Sequence, residues 1–160
     1  MAKLVPCLWY SEKAEEAAAF YAALLPDSRV VRVNGLPADS PSGPAGSVKV
    51  VEFVLIGRPF IALSAGPLDA FNHSISLMVH CDTQEEIDRL WIGLSQGGAT
   101  DRCGWLKDRY GLYWQIVPST LGEMLADKDP ARAKRVAEAM LKMGKLEIAG
   151  LEAAYREPAS

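Results

Sequence analysis

Short apolar runs alternate along the chain with two stretches whose apolar residues recur every three or four positions, and the order is the same in both halves. The first half opens on the run Leu4 to Tyr10, a length suited to a buried strand. A helix is expected from Glu12 to Leu25, with Ala14, Ala17, Ala18, Tyr21, Leu24 and Leu25 on one face and Ser11 as N-cap. Pro26 and Asp27 stop it. Arg29 to Val33 reads as a strand, NGLPADSPSGPAGS as loop, and Val48 to Ile56 and Pro59 to Ala65 as two more strands joined tightly at Gly57 and Arg58.

The second half repeats this plan. SISLMVHC (Ser74 to Cys81) alternates as a strand with two different faces does. Asp82, with Glu85 three residues on, forms the pattern of a capping box, and Ile87, Leu90, Trp91 and Leu94 line one face of the helix that follows. That helix ends at Gly97-Gly98, and runs around Trp105 and from Leu112 to Val117 flank a turn at Arg109 to Gly111. The helix segments EEAAAFYAALL (Glu15 to Leu25) and EEIDRLWIGLS (Glu85 to Ser95) superpose without a gap. Two readings stand: duplicated βαβββ modules, or two unrelated β–α units of similar pattern. The shared strand order supports duplication.

From Thr120 the chain turns to helix formers. Asp129-Pro130 marks a helix start, and Met140, Leu141, Met143, Leu146, Ile148 and Leu151 are candidate packing positions. This segment is either a cover over the domain or a clamp in a dimer.

Composition narrows the classes. With 160 residues, just under half of them apolar, the chain supports one domain core with an appended helical segment. The net charge of -3 is scattered, without a basic patch, which argues against a nucleic-acid partner. No run of about eighteen uncharged apolar residues suggests a membrane span, and the N-terminus lacks a signal-peptide core. Cys7, Cys81 and Cys103 are odd in number and unspaced for a disulfide framework or zinc site, so a cytoplasmic setting is expected.

The segments LWYSEKAEEAAAFYAALLPDS, GSVKVVEFVLIGRPFIALSAGP, FNHSISLMVHCDTQEEIDRLWIGLSQGG, CGWLKDRYGLYWQIVP and DPARAKRVAEAMLKMGKLEIAGLEAAY resemble consecutive blocks of the PhnB-like family. That family sits within the vicinal-oxygen-chelate (glyoxalase/bleomycin-resistance/dioxygenase) superfamily, and its members often carry the name 3-demethylubiquinone-9 3-methyltransferase. The resemblance implies an α+β fold of paired βαβββ modules, each with a curved, mixed, largely antiparallel sheet, around a cavity in a homodimer. The modules would span about residues 1–67 and 72–118 of a domain over 1–118, with a helical extension over 119–160.

Many proteins of this fold bind a divalent metal through His or Glu on the first and last strand of each module, because N and O ligands on a hard or borderline cation let it polarise substrate oxygens. In this chain those positions hold Pro6, Ser64, Ser74 or Ser76, and Gln115, which are poor ligands. No metal and no cofactor is expected. A Gly-rich turn after a first parallel strand, as a class I methyltransferase would present to S-adenosylmethionine, is also missing.

Strand alternation then sorts candidate cavity residues. Tyr10 with Leu8, Phe60 and Ser64 with Ala62, Ser74, Ser76, Met78 and His80, and Tyr113 with Gln115 and Val117 are expected to face the cavity; Trp105 is a candidate for stacking. Cys7 and Cys81 then fall on the helix-packed face. Glu52, alone among Val48, Val50, Val54 and Ile56, is either a base of raised pKa or an acid salt-bridged to Lys49 or Lys107. His80 is either an acid–base group or a hydrogen-bonded strand-end residue. The loop from Asn34 to Gly46 either closes the cavity mouth or is a plain connection.

The first function class is therefore a metal-independent protein binding an aromatic or quinone-like small molecule, with or without lyase or isomerase chemistry through Glu52 or His80. Alternatives are the methyltransferase of the family name, a metal-dependent enzyme of the glyoxalase or dioxygenase type, and an interaction module with a vestigial cavity.

Overall fold

The computed structural model describes residues 2–157 and divides into two compact units, Met1–Ala70 and Phe71–Ser160. The fold is α+β, with one four-stranded mixed sheet in each unit.

In the first unit the order is β1 (Cys7–Tyr10), α1 (Ala14–Leu24), β2 (Arg29–Gly35), β3 (Lys49–Leu55) and β4 (Arg58–Ser64). The sheet runs β1-β4-β3-β2, with β1 parallel to β4 and the other pairs antiparallel. Helix α1 packs on β3 and β4. Ala14, Ala17, Ala18 and Tyr21 are buried, as are Leu8, Tyr10, Val51, Phe53, Leu55, Phe60 and Ala62 of the sheet. Small alanines let the helix come close, so that Tyr21 reaches the hydroxyl of Tyr10 at 2.9 Å. A buried tyrosine needs such a partner, and the two hydroxyls satisfy one another.

The start of α1 differs from expectation. Lys13, in the left-handed region at φ 65, is the N-cap in place of Ser11 and makes no side-chain cap bond. Ser64 supplies the acceptor from across the sheet, its Oγ taking the Ala14 amide at 2.8 Å. The β3–β4 turn also moves by one residue. Leu55 pairs with Arg58, leaving Ile56 and Gly57 at φ 48 and 72 as the two-residue turn, a backbone that matches the twist of a hairpin.

The second unit contains β5 (Ser76–Cys81), α2 (Gln84–Ser95), β6 (Ala99–Thr100), β7 (Trp105–Lys107) and β8 (Tyr113–Pro118), followed by α3 (Leu121–Leu125), α4 (Pro130–Leu141) and α5 (Ile148–Arg156). Its sheet order, β5-β8-β7-β6, with β5 parallel to β8, repeats that of the first. The α2 cap falls on Thr83, whose Oγ1 accepts from the Glu86 amide at 3.2 Å. Asp82, expected to be the cap, accepts instead from the Ser119 hydroxyl at 2.6 Å, while its own amide donates to Glu86. Asp129 caps α4 through the Ala131 amide, with Pro130 as its first residue, as the sequence predicts.

The three last helices enclose a small core of their own with the end of β8: Val117, Leu121, Val136, Leu146 and Leu151, flanked by Met140 and Met143. Leu141, a candidate for this packing, is exposed. Gln84 ties the segment to α2, accepting from the Ile148 amide at 2.8 Å and donating to the Leu146 carbonyl at 3.0 Å. No helix of the described residues is long and apolar enough to cross a membrane.

Asp108 is the one charged residue buried among the described residues, at 1% exposure. It sits where the chain turns from β7 into β8. Its Oδ1 accepts from the amides of Tyr110 (2.8 Å) and Leu112 (3.1 Å), and its Oδ2 accepts from Trp114 Nε1 at 2.9 Å. A buried carboxylate is tolerable only with such partners, and each donor would be stranded without it. Asp108→Ala is therefore expected to destabilise the fold by about 3 kcal/mol, read as a lower urea midpoint in equilibrium unfolding.

Candidate functional site

Each sheet has one face under its helix and one face free of it within its unit. In the first unit this division reverses the expected alternation. Tyr10, Phe60 and Ser64 all lie on the helix-packed side: Tyr10 against Tyr21, Phe60 tilted against Phe53 with ring centroids 5.5 Å apart, and Ser64 on the start of α1. The register explains why they move together, since Tyr10 pairs with Ser64 and Phe60 with Phe53, and paired residues share a face. Trp9, 39% exposed, is on the free face instead, and Cys7 is exposed rather than helix-packed. Cys81 is buried as expected; burial first, then Glu86 and Asp82, pushes its thiol up to about 12, too high for appreciable thiolate at neutral pH.

Glu52 lies on the free face of β3, but not alone. Arg32, opposite it on β2, closes an ion pair with Oε2 at 2.6 Å and donates to Oε1 at 2.8 Å. Neither Lys49 nor Lys107 is the partner. With the Glu52 side chain 37% exposed, the pair is a solvated rim contact. The loop after β2 is organised by its own bonds, including Gly46 to the Leu36 carbonyl and Ala45 to Asp39. Its Ser42 and Ser47 help line a polar cleft of about 410 Å³ at the start of α1.

In the second unit the alternation of buried and less buried positions follows the expectation except at Val117, which was expected to face the cavity and is buried in the core of the C-terminal helices. Val79, Cys81, Leu106, Trp114 and Ile116 are buried. Ser76, Met78 and His80 on β5, Tyr113 and Gln115 on β8, and Trp105 on β7 occupy the alternate positions. Register sets them in rows: Met78, Gln115 and Trp105 in one, Ser76, Tyr113 and Lys107 in the next. Gln115 Nε2 donates to Ser76 Oγ at 2.9 Å, linking the two rows. Met78 is 50% exposed and His80 is exposed. Glu52 and His80 stand in different units.

Trp105 and Tyr113, diagonal neighbours on adjacent strands, line a cleft of about 380 Å³ together with His73, Asp101, Arg102 and Cys103. The His73 ring meets Tyr113 edge-on, with centroids 6.1 Å apart. The cleft thus offers two aromatic rings, one guanidinium, one imidazole and one carboxylate. Such a set can stack a planar ligand and orient it with polar groups.

The Asp101-to-Trp105 turn forming one wall is held from several directions. The Asp101 amide donates to the Trp105 carbonyl (2.8 Å), and the Trp105 amide to the Arg102 carbonyl (3.1 Å). From the C-terminal segment, the carbonyls of Met143 and Gly144 accept from the amides of Cys103 (2.9 Å) and Gly104 (2.8 Å). Cys103 and Gly104 both have positive φ, 57 and 81. A side chain at Gly104 would meet the Ile116 carbonyl at 2.6 Å and Leu146 at 3.1 Å.

The donor set does not fit a metal centre of the kind other proteins of this fold carry. Ser64 is committed to the α1 amide, while Ser76 and Gln115, both weak ligands, bond to each other. Among the described residues no group of three His, Cys, Asp or Glu side chains is placed to hold an ion.

Of the cleft residues, the sequence singles out Tyr113 by strand alternation and Trp105 as an aromatic able to stack. Arg102 and Asp101 were missed because they lie in a turn, where alternation has no meaning. Their signal is the pair of charges just before Cys103-Gly104 and the inward Trp105.

A family model described as 3-demethylubiquinone-9 3-methyltransferase matches residues 2–117, a span that leaves α3 to α5 outside. A PhnB protein from Bacillus cereus, carrying the same methyltransferase description, is 32% identical with a TM-score of 0.65, over 72% of this chain and 99% of that one. The fosfomycin resistance protein FosX of Mesorhizobium loti (14% identity, TM-score 0.55, 79% of this chain, 100% of that one) shares the fold. So does the trypanothione-dependent glyoxalase I of Leishmania major (12% identity, TM-score 0.52, 81% and 94%). No curated protein matches the chain.

Gly104→Ala is expected to cost about 3 kcal/mol, from a crowded Cβ and a left-handed backbone. Thermal denaturation measures it, and hydrogen exchange should show the Cys103 amide losing protection.

Proposed function

Because the chain belongs to the 3-demethylubiquinone-9 3-methyltransferase family, a PhnB-like branch of the vicinal-oxygen-chelate superfamily, we propose that its second unit binds a flat, aromatic or quinone-like small molecule without a metal. The observation that carries this reading is the cleft at Trp105 and Tyr113. Its volume of about 380 Å³ lies at the small end of ligand pockets, the size of a one- or two-ring compound. The neighbouring Gln115–Ser76 pair offers hydrogen-bonding groups to oxygens at the ligand edge.

Binding is favoured over catalysis. Glu52 is paired with Arg32 in a solvated ion pair, so it is not the desolvated carboxylate that a general base of raised pKa requires. The methyltransferase description names the family; it does not supply this chain with a cofactor site, and fold alone does not fix chemistry. Tyr10, Phe60 and Ser64 belong to the packing of the first unit in this reading, whereas Ser76, Met78, Trp105, Tyr113 and Gln115 stay as ligand contacts. A homodimer, as the family resemblance implies, is part of the same proposal.

Calorimetric titration with 2,3-dimethyl-1,4-naphthoquinone, whose blocked ring carbons do not add thiols, tests the reading. Trp105→Ala should weaken binding roughly tenfold, and Tyr113→Ala by several-fold, from lost ring contact. Trp9→Ala, on the free face of the first unit, should leave it unchanged. No binding by the unaltered protein, or full binding by Trp105→Ala, would overturn the proposal.

A further inference from the structure

We infer that the Trp105–Tyr113 cleft selects planar aromatic acids, with Arg102 as the anchor for the ligand's carboxylate. The inference rests on the binding role proposed above and names the charge of the ligand.

Arg102 lines the cleft beside both rings. Several other cations of this unit are committed: Lys145 to Asp88 and Glu147, Arg156 to Glu152, Arg132 to Asp127 and the Tyr155 ring, Arg109 to Gln96, and Arg135 to the Ala154 carbonyl; Lys107, beside Tyr113 in the ladder, is a cation of the same face but does not line the cleft. The bonds of Arg102 run through its backbone only, with its amide on Asp101 and its carbonyl on Trp105. Its guanidinium makes no ion pair among the described residues.

The backbone that carries it is fixed more firmly than that of an ordinary surface turn. The next two residues donate their amides to Met143 and Gly144, and the turn is closed on both sides by its own backbone. A planar fork carried on a braced turn at the edge of an aromatic wall suits a carboxylate coplanar with a ring, because both oxygens can accept in parallel while the ring stacks. Asp101 is the opposing charge. Its Oδ1 takes the Arg102 amide at 2.8 Å, which keeps the carboxylate at the same rim. That negative charge disfavours a compact polyanion such as phosphate. It favours a ligand whose charge sits at one end of an apolar body, at arm's length on the Arg102 side. His73, edge-on to Tyr113, supplies a further hydrogen-bonding group at the rim.

The test uses the full chain and two probes of one shape, 2-naphthoate and its uncharged amide, 2-naphthamide, in calorimetric titrations at low salt. The expected result is naphthoate bound about tenfold more tightly than naphthamide, a preference that shrinks as salt is raised. Arg102→Gln should abolish the preference, bringing naphthoate affinity down to that of naphthamide, while its thermal melting stays that of the unaltered protein, which shows that the variant is folded. Asp101→Asn should tighten naphthoate several-fold, and Trp105→Ala should weaken both probes. Equal binding of the two probes, or a preference that survives Arg102→Gln, overturns the inference and leaves the binding role standing. Failure of both probes to bind overturns the inference and the binding role together.

Discussion

The carboxylate of Asp108 is out of water and holds donors that include two amides of the turn that follows it and the indole of Trp114. A group of this kind has few arrangements open to it, since every alternative strands a charge or a donor in the interior. By gripping Trp114, it sets which side of β8 faces α2. Period-two alternation then carries Tyr113 and Gln115 to the other side, and the ladder carries Trp105, Met78 and Ser76 with them. A one-residue slip would bury the polar row and expose the tryptophan. The free face of the second sheet is thus a consequence of one satisfied buried charge.

A second constraint comes from the C-terminal helices. Their small apolar core, anchored on Val117 and tied to α2 through Gln84, places the Met143 and Gly144 carbonyls against the turn after β6. The family match covers residues 2–117, so this brace lies beyond the matched span. The cleft combines strand residues within the matched span with a turn whose shape depends on a segment outside it. Such an arrangement lets a common scaffold acquire a site wall of its own, in keeping with the separation of fold and chemistry.

The α+β class and the βαβββ order were legible because helix and strand periods are distinct and each half repeats them. The face assignments of the second unit were legible too, since SISLMVHC and LYWQIV alternate in polarity. In the first unit they were not. Leu8, Trp9 and Tyr10 are all large and apolar, so nothing local tells which of them meets the helix; the decision comes from the alanine face of α1, which leaves room for Tyr10 to reach Tyr21. Ser64 was read by the same alternation and turned out to serve as a distant helix cap, a role invisible without the register of β4 against β1. Glu52 stands out in the sequence as an acid among apolar neighbours, but its partner Arg32 comes from β2, beside a bulge, which local pattern does not reveal. β6, two residues long, carries too little pattern to be recognised as a strand. The α2 cap fell one residue late because Asp82, Thr83 and Glu86 offer two competing sets of hydrogen bonds.

The most direct measurement is the set of tryptophan indole resonances in a 15N-labelled sample titrated with a planar aromatic ligand. Trp105 lies in the cleft, Trp114 beneath the sheet on Asp108, and Trp9 on the free face of the other unit. Binding at the second unit's cleft predicts a large shift for Trp105, with Trp9 and Trp114 left near their starting positions. A shift led by Trp9 with Trp105 unmoved would place the ligand on the other sheet and contradict the assignment of the site.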